Sequence, residues 1–141
     1  MNDSQQTKEA ENLPEQAGLV GPSSALPASP SVDVRLNAWA QVVGSPHNNL
    51  RAGPSVQDLI LAQIDPGSRV WVMCGPVKSK VDKTVWWVVR YAGAYREAKL
   101  VGGKQATKKG GGLDTVSRNR TVVGWMSEFE MDGTRILKRV P

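Results

Sequence analysis

Cys74 and His47 are the only residues of their types among 141, and they limit the covalent chemistry open to this chain. A Cys-His or Ser-His-Asp device would have to use His47. That residue sits in a turn-rich stretch, Gly44-Ser-Pro-His-Asn-Asn49, and reads as an exposed loop histidine. Cys74 ends an apolar, strand-like run and reads as a small buried residue. One cysteine excludes an internal disulfide, and with one histidine it leaves too few ligands for a zinc site. Paired carboxylates are the other common catalytic device, but Asp58, Asp65 and Asp82 are scattered over turns with no shared pattern. Gly110 to Gly112 follow two lysines, yet no Lys-Ser/Thr pair or helix start comes after them, so they are no phosphate loop. The expectation is a chain with no catalytic residue, no metal and no cofactor.

What remains is non-covalent chemistry, and its materials are aromatic and cationic. There are five Trp against two Tyr and one Phe, and the formal net charge is +5. The charge is uneven. Residues 1–33 carry one Lys and five acids, whereas residues 34–141 carry 17 basic and 8 acidic groups, a net of +9. Within the latter, residues 96–120 hold seven cations against Glu97 and Asp114. Clusters of this kind attract phosphates, anionic glycans or acidic protein surfaces. An indole adds a large stacking face for a sugar ring, proline, arginine or base. The candidate ligand-binding residues are therefore Arg51, Trp71, Trp86, Trp87, Tyr91, Tyr95, Trp125, Lys104, Lys108 and Lys109. Arg51 flanks a turn, where it could pin a loop carbonyl or line a groove. Glu128 and Glu130 interrupt the basic surface and could accept a cation from the 96–120 stretch.

These side chains must be positioned by strands. Residues 1–33 are polar, with the linker-like Gly21-Pro-Ser-Ser-Ala-Leu-Pro-Ala-Ser-Pro30, and cannot bury enough apolar area to offset backbone ordering. A disordered tail is expected there. From Val34 the apolar residues Val34, Leu36, Ala38, Ala40 and Val42 recur with period two, which predicts a strand with Trp39 as the exception to the alternation. Leu59 to Ile64 is a mixed apolar run that ends at the turn Asp65-Pro66-Gly67. Arg69 to Cys74 is a strand closed by Gly75-Pro76, with Trp71 on the face opposite Val70 and Val72. Thr84 to Tyr91 is the strongest strand, apolar on both faces. Alternation puts Trp86 and Trp87 on opposite faces, so one is expected in the core and the other under the 92–120 segment or open to a partner. Residues 92–120 are Gly- and Lys-rich, and Tyr91, Tyr95, Val101 and Val116 could extend a ladder there. Thr121 to Met126 is a strand, Ser127 to Glu130 a single helical turn, and Arg135 to Val140 the closing segment. Short strands with turns between them predict an all-β fold, a small barrel or sandwich.

Four segments in order carry a resemblance to a known family. They are Asn49-Leu50-Arg51-Ala52-Gly53-Pro54-Ser55, Pro66-Gly67 before Val70-Trp71-Val72, Trp86-Trp87-Val88-Val89, and Gly124-Trp125-Met126. Together they resemble the bacterial SH3-like domain over roughly residues 38–138. The resemblance implies an SH3-like barrel of five to seven strands, without catalytic residues of its own, spanning 34–141. It also marks residues 92–120 as an insertion, an elongated hairpin arm or loop where the family has only a few residues.

The expected function is a non-enzymatic binding or adaptor module. Its partner would be a peptide segment of another protein or an anionic cell-wall polymer, held by exposed Trp and Tyr and the basic insertion. The alternative is a small basic β-barrel that binds single-stranded nucleic acid. A hydrolase fragment is the third and weakest class. No run approaches 18 apolar residues and the first residues lack an apolar core, so neither membrane insertion nor a secretory leader is expected, and the compartment expected is cytoplasmic.

Overall fold

The structure, a computed structural model, describes residues 25–27, 31, 33–44 and 48–141. The expectation of a disordered tail, and the reading of His47, fall largely or wholly outside those residues. The described residues are all-β and contain no helix. Their strands are β1 (Ala25–Pro27), β2 (Trp39–Val42), β3 (Asn48–Arg51), β4 (Ile60–Ile64), β5 (Arg69–Ser79), β6 (Val85–Ala98), β7 (Leu100–Val101), β8 (Lys104–Gln105), β9 (Thr115–Ser127) and β10 (Leu137–Arg139). The main sheet runs β10-β2-β5-β6-β4-β3-β9, all antiparallel. Strand β9 also returns to β6, which closes β6, β4, β3 and β9 into a ring and leaves β10-β2-β5 as a wing.

Alternation explains the inner face. Ala40 opposes Val70 and Val72 opposes Val89, and all four are buried. Leu50, Ile64, Trp87, Met126 and Leu137 join them in one core. Each such side chain stabilises the fold by about 1.5–3 kcal/mol relative to full exposure. Val34 is buried too, but Asn37 turns with φ 54° before β2 starts, so the first strand is shorter than the period-two pattern suggests and Leu36 is exposed.

Other elements depart from expectation for local reasons. Strand β5 continues past Gly75-Pro76, because register shifts at Cys74 and Val77 take up the irregular residues and Val77 and Lys78 re-pair with Trp86 and Val85. Ser127–Glu130 is not helical. Phe129 bridges Arg135 across a turn at Gly133, whose φ is 92°. Residues 92–120 form an elongated hairpin, since β6 and β9 pair without a break from Trp86↔Ser127 to Ala98↔Thr115. Beyond it β7 and β8 form a smaller hairpin turned by Gly102 and Gly103, both at positive φ. Contacts with the sheet begin before Val34. Ala25–Pro27 pair with Val77–Ser79, and the Ser31 hydroxyl donates to Glu128 at 2.8 Å.

Trp86 and Trp87 do point to opposite faces, yet both are buried. Trp87 enters the core. Trp86 enters a second cluster on the outer face with Val88, Val123 and Trp125, flanked by Met73, Cys74 and Val77. Cys74 is only partly buried there.

The ring closes where β3 meets β9, at Arg51↔Trp125. Gly124 makes that approach possible. A Cβ on it would stand 2.8 Å from Leu50 Cγ and 3.0 Å from the Arg51 carbonyl oxygen. Gly124→Ala is expected to destabilise the protein by about 1–3 kcal/mol, and Gly124→Val by more, read as a lower denaturant midpoint. An unchanged midpoint would show that β3 does not close on β9 this tightly.

Candidate functional site

A groove of about 560 Å³ lies on the outer side of the ring. Its walls are the β3–β4 hairpin, through Asn49, Arg51 and Val56, and the loop from Phe129 to Ile136. Thr84, Trp86 and Ser127 form its floor. Two buried carboxylates hold these walls. Asp82 accepts the Val56 amide at 2.9 Å, the Thr84 amide at 3.0 Å, the Thr84 hydroxyl, and the Trp86 indole N–H at 3.2 Å. One side chain thus fixes the hairpin tip, the β5–β6 turn and the floor tryptophan. Glu128 accepts the Trp87 indole N–H at 3.0 Å and pairs with Arg135 at 3.2 Å. Arg135 in turn lies 4.5 Å over the Phe129 ring and bonds Asp33, which anchors the second wall. Glu128 therefore takes its cation from the closing segment and not from the insertion.

Arg51 does both things open to it. Its guanidinium donates to the Asp58 carbonyl at 2.9 Å, pinning the hairpin loop, and it lines the groove. Burial lowers the Arg51 pKa against the opposing pull of Asp58 and Asp82. Burial raises the Asp58 carboxyl. Burial also pushes Asp82 up, but its hydrogen bonds from Thr84, Val56 and Trp86 prevail and leave it below the usual carboxylate value. At the rim stand exposed apolar Met131, at 68%, and Val56, at 37%, with Glu130 and Asp132 beside Met131. A floor of one indole and two hydroxyls under a rim of apolar and acidic residues with one guanidinium can pack and hydrogen-bond a ligand. Among the described residues, no three or more His, Cys, Asp or Glu gather to hold a metal ion.

The other candidate residues do not converge on this groove. Trp87, Trp125 and Tyr95 are buried, so they give no exposed face to a ligand, and of Trp86 only an edge reaches the groove. Trp86, Trp87 and Trp125, proposed as contacts, are thus all packed: one of Trp86 and Trp87 is expected in the core, and the other is also buried. Around Trp86, Val88 and Trp125 the sheet is covered on both faces, and the cover on Trp86 is the second cluster rather than the 92–120 segment. Tyr91 is partly buried, packs edge-on to Tyr95 at 6.3 Å and donates to the Ala94 carbonyl. Trp71 is on the outer face as alternation requires, beside Trp39. Lys104, Lys108 and Lys109 are exposed near the end of the arm and form no ion pair among the described residues. Most other cations of the arm are paired: Arg96 with Asp65, Lys99 with Asp114, Arg118 and Arg120 with Glu97. A second cavity of about 550 Å³ sits at the base of the arm, between Ile60, Leu61, Tyr95, Ala98, Leu100 and Val122.

The groove's own supports, Asp82 and Glu128, had weak signals. Asp82 stands two residues before Thr84 in a polar turn, the spacing of a side chain that bonds local backbone. Little local marks Glu128: Arg135 is seven residues on, but its other two donors come from 97 and 41 residues away.

Comparison with known protein families, with curated proteins and with solved structures finds no match. Among the described residues no helix is long and apolar enough to cross a membrane.

Because the folded pKa of Asp82 is depressed, its contribution is present above the unfolded carboxylate value near 4 and is lost as pH falls through the folded value. Asp82→Asn should lower stability at neutral pH by about 1–3 kcal/mol, and the gap to the parent should narrow below about pH 4. Thermal melts across that range check it. A gap that stays constant with pH would remove the ionised carboxylate from this account.

Proposed function

We propose that this chain is a non-enzymatic binding module of the bacterial SH3-like type, and that its groove receives an extended peptide segment of a partner protein. The observation that carries the reading is the groove's construction. One buried carboxylate, Asp82, ties the hairpin wall to the floor, and a second, Glu128, ties the other wall to the core through Trp87, so the site is formed before any ligand arrives, which reduces the ordering cost of binding. The four segments behind the family resemblance lie at structurally sensible places, which supports it. Asn49 to Ser55 form the end of β3 and the buried turn after it, Gly67 turns into β5 at φ 93°, Trp86 to Val89 lie in the central strand, and Gly124-Trp125 meet β3.

A peptide fits the groove better than an anionic wall polymer does. Glu130 and Asp132 on the rim repel a polyanion, whereas a chain with apolar side chains and a basic residue suits Val56, Met131 and the acidic rim. The wall polymer would instead meet Lys104, Lys108 and Lys109 on the arm.

The test is selection from a displayed random-peptide library with the full chain, followed by titration of the selected peptides. Met131→Asp and Val56→Asp are expected to weaken the selected peptides at least about tenfold, the scale of a lost interface anchor, while the melting curve stays in place. Selected peptides that bind both variants as tightly as the parent would locate the site elsewhere. Retention on purified cell-wall sacculi, unaffected by these variants and lost with salt, would transfer the function to the arm.

A further inference from the structure

The wing of the sheet carries a second constellation, on a face the groove does not use. In antiparallel strands, directly opposed residues project to the same side. Trp39 opposes Trp71, and Trp71 opposes Arg90, which sets these three in one row across β2, β5 and β6. Gln41 opposes both Lys138 and Arg69, which sets a parallel row across β10, β2 and β5. Ala40 and Val70, between the rows, point into the core. Both rows therefore face outward. Trp39 is 48% exposed, and its ring meets that of Trp71 edge-on at 5.1 Å. Lys138, Arg69 and Arg90 are exposed and make no ion pair among the described residues. The two rows contain no acidic residue.

We propose that this outward face of β10-β2-β5-β6 is a platform for single-stranded nucleic acid, on which Trp39, propped by Trp71, stacks a base while Lys138, Arg69 and Arg90 hold phosphates. The choice of ligand follows from what the rows offer. Trp39, half exposed, presents a ring face to a planar group, and partly buried Trp71 meets it at 76° and props it from the neighbouring strand. The charged residues of the two rows are all cationic. A polymer that offers a planar ring and one fixed anion per unit answers both features. A duplex has its bases stacked within, and acidic proteins and glycans supply anions without planar bases. The platform is independent of the peptide reading of the groove, whose rim is acidic.

The test is fluorescence anisotropy of a labelled oligothymidylate with the full chain, at several salt concentrations. The parent is expected to bind, and Trp39→Ala with Trp71→Ala to weaken binding by about 5- to 100-fold per stacked base. Three phosphate contacts on a single strand predict a slope of log affinity against log salt of about −2, and Arg69→Ala with Arg90→Ala should flatten it. Both pairs are outward-facing, and an unchanged melting curve confirms that each variant is folded. If the tryptophan pair unfolds the chain, the arginine pair alone decides. Met131→Asp, in the groove, should leave oligonucleotide binding within about twofold of the parent. Absence of binding by the parent would overturn the proposal, as would unaltered affinity in the folded variants. So would equal loss in Met131→Asp, which would place the oligonucleotide in the groove, or heparin competing as well as unlabelled oligothymidylate, which would reduce the face to a general polyanion exchanger.

Discussion

Two adjacent indoles and the carboxylates that receive their N–H groups organise this protein. Trp86 and Trp87 project to opposite sides of β6, and neither can be left in a dry interior with an unbonded N–H without a cost of about 1–3 kcal/mol. Asp82 answers the first and Glu128 the second. A buried carboxylate is itself expensive unless it is well bonded, so each gathers further donors. Asp82 takes the Val56 and Thr84 amides, and Glu128 takes Ser31 and Arg135. Satisfying two indoles thus draws in the hairpin tip, the β5–β6 turn, the 129–136 loop and the segment before β2. The groove is the space that these obligations leave between them.

The second consequence is a sheet whose centre, at β6 and β9, is buried on both faces. Antiparallel sheets of small barrels commonly keep one face wet. Here the outer positions of β6 and β9 carry Trp86, Val88, Val123 and Trp125, all buried. This stiffens the centre of the molecule and confines the exposed outer positions to its margins. Along β6 the floor of the groove is at Trp86 and the platform begins at Arg90, about 13 Å further on at the usual rise per residue. Val88 and its apolar neighbours lie between.

Much of the fold was legible because the alternation is clean where one face is wet. Ala40 and Val42, and Val70 and Val72, go inward, and Trp71 goes outward. The long hairpin could be anticipated from Tyr91, Tyr95 and Val116 on either side of the glycines. The site was less legible. A residue's aromatic character gives no face by itself, so Trp86, Trp87 and Trp125 read as candidate contacts when they are packing. Trp39 reads as an interruption of the pattern, although an outward position is where the alternation puts it. Asp82 looked scattered because the groups it joins, Val56 and Trp86, are distant or featureless in sequence. Glu128 reads as an acceptor open to a cation of the 96–120 stretch because charge balance along the chain does not reveal that Arg135 and Ser31 fold against it.

Charge sorting on the surface gives these features a common logic. The groove rim is acidic at Glu130 and Asp132. The platform is cationic at Lys138, Arg69 and Arg90, and the arm ends in Lys104, Lys108 and Lys109. The arm neutralises most cations along its length by pairing, and the unpaired ones among the described residues sit beyond the long ladder. A uniformly basic surface of the same net charge would attract polyanions everywhere, including into the groove. Acidic residues at the groove instead repel polyanions there, and their exclusion costs little because both carboxylates remain solvated at the rim. Two chemically distinct surfaces can then coexist on one small barrel without competing for the same ligand.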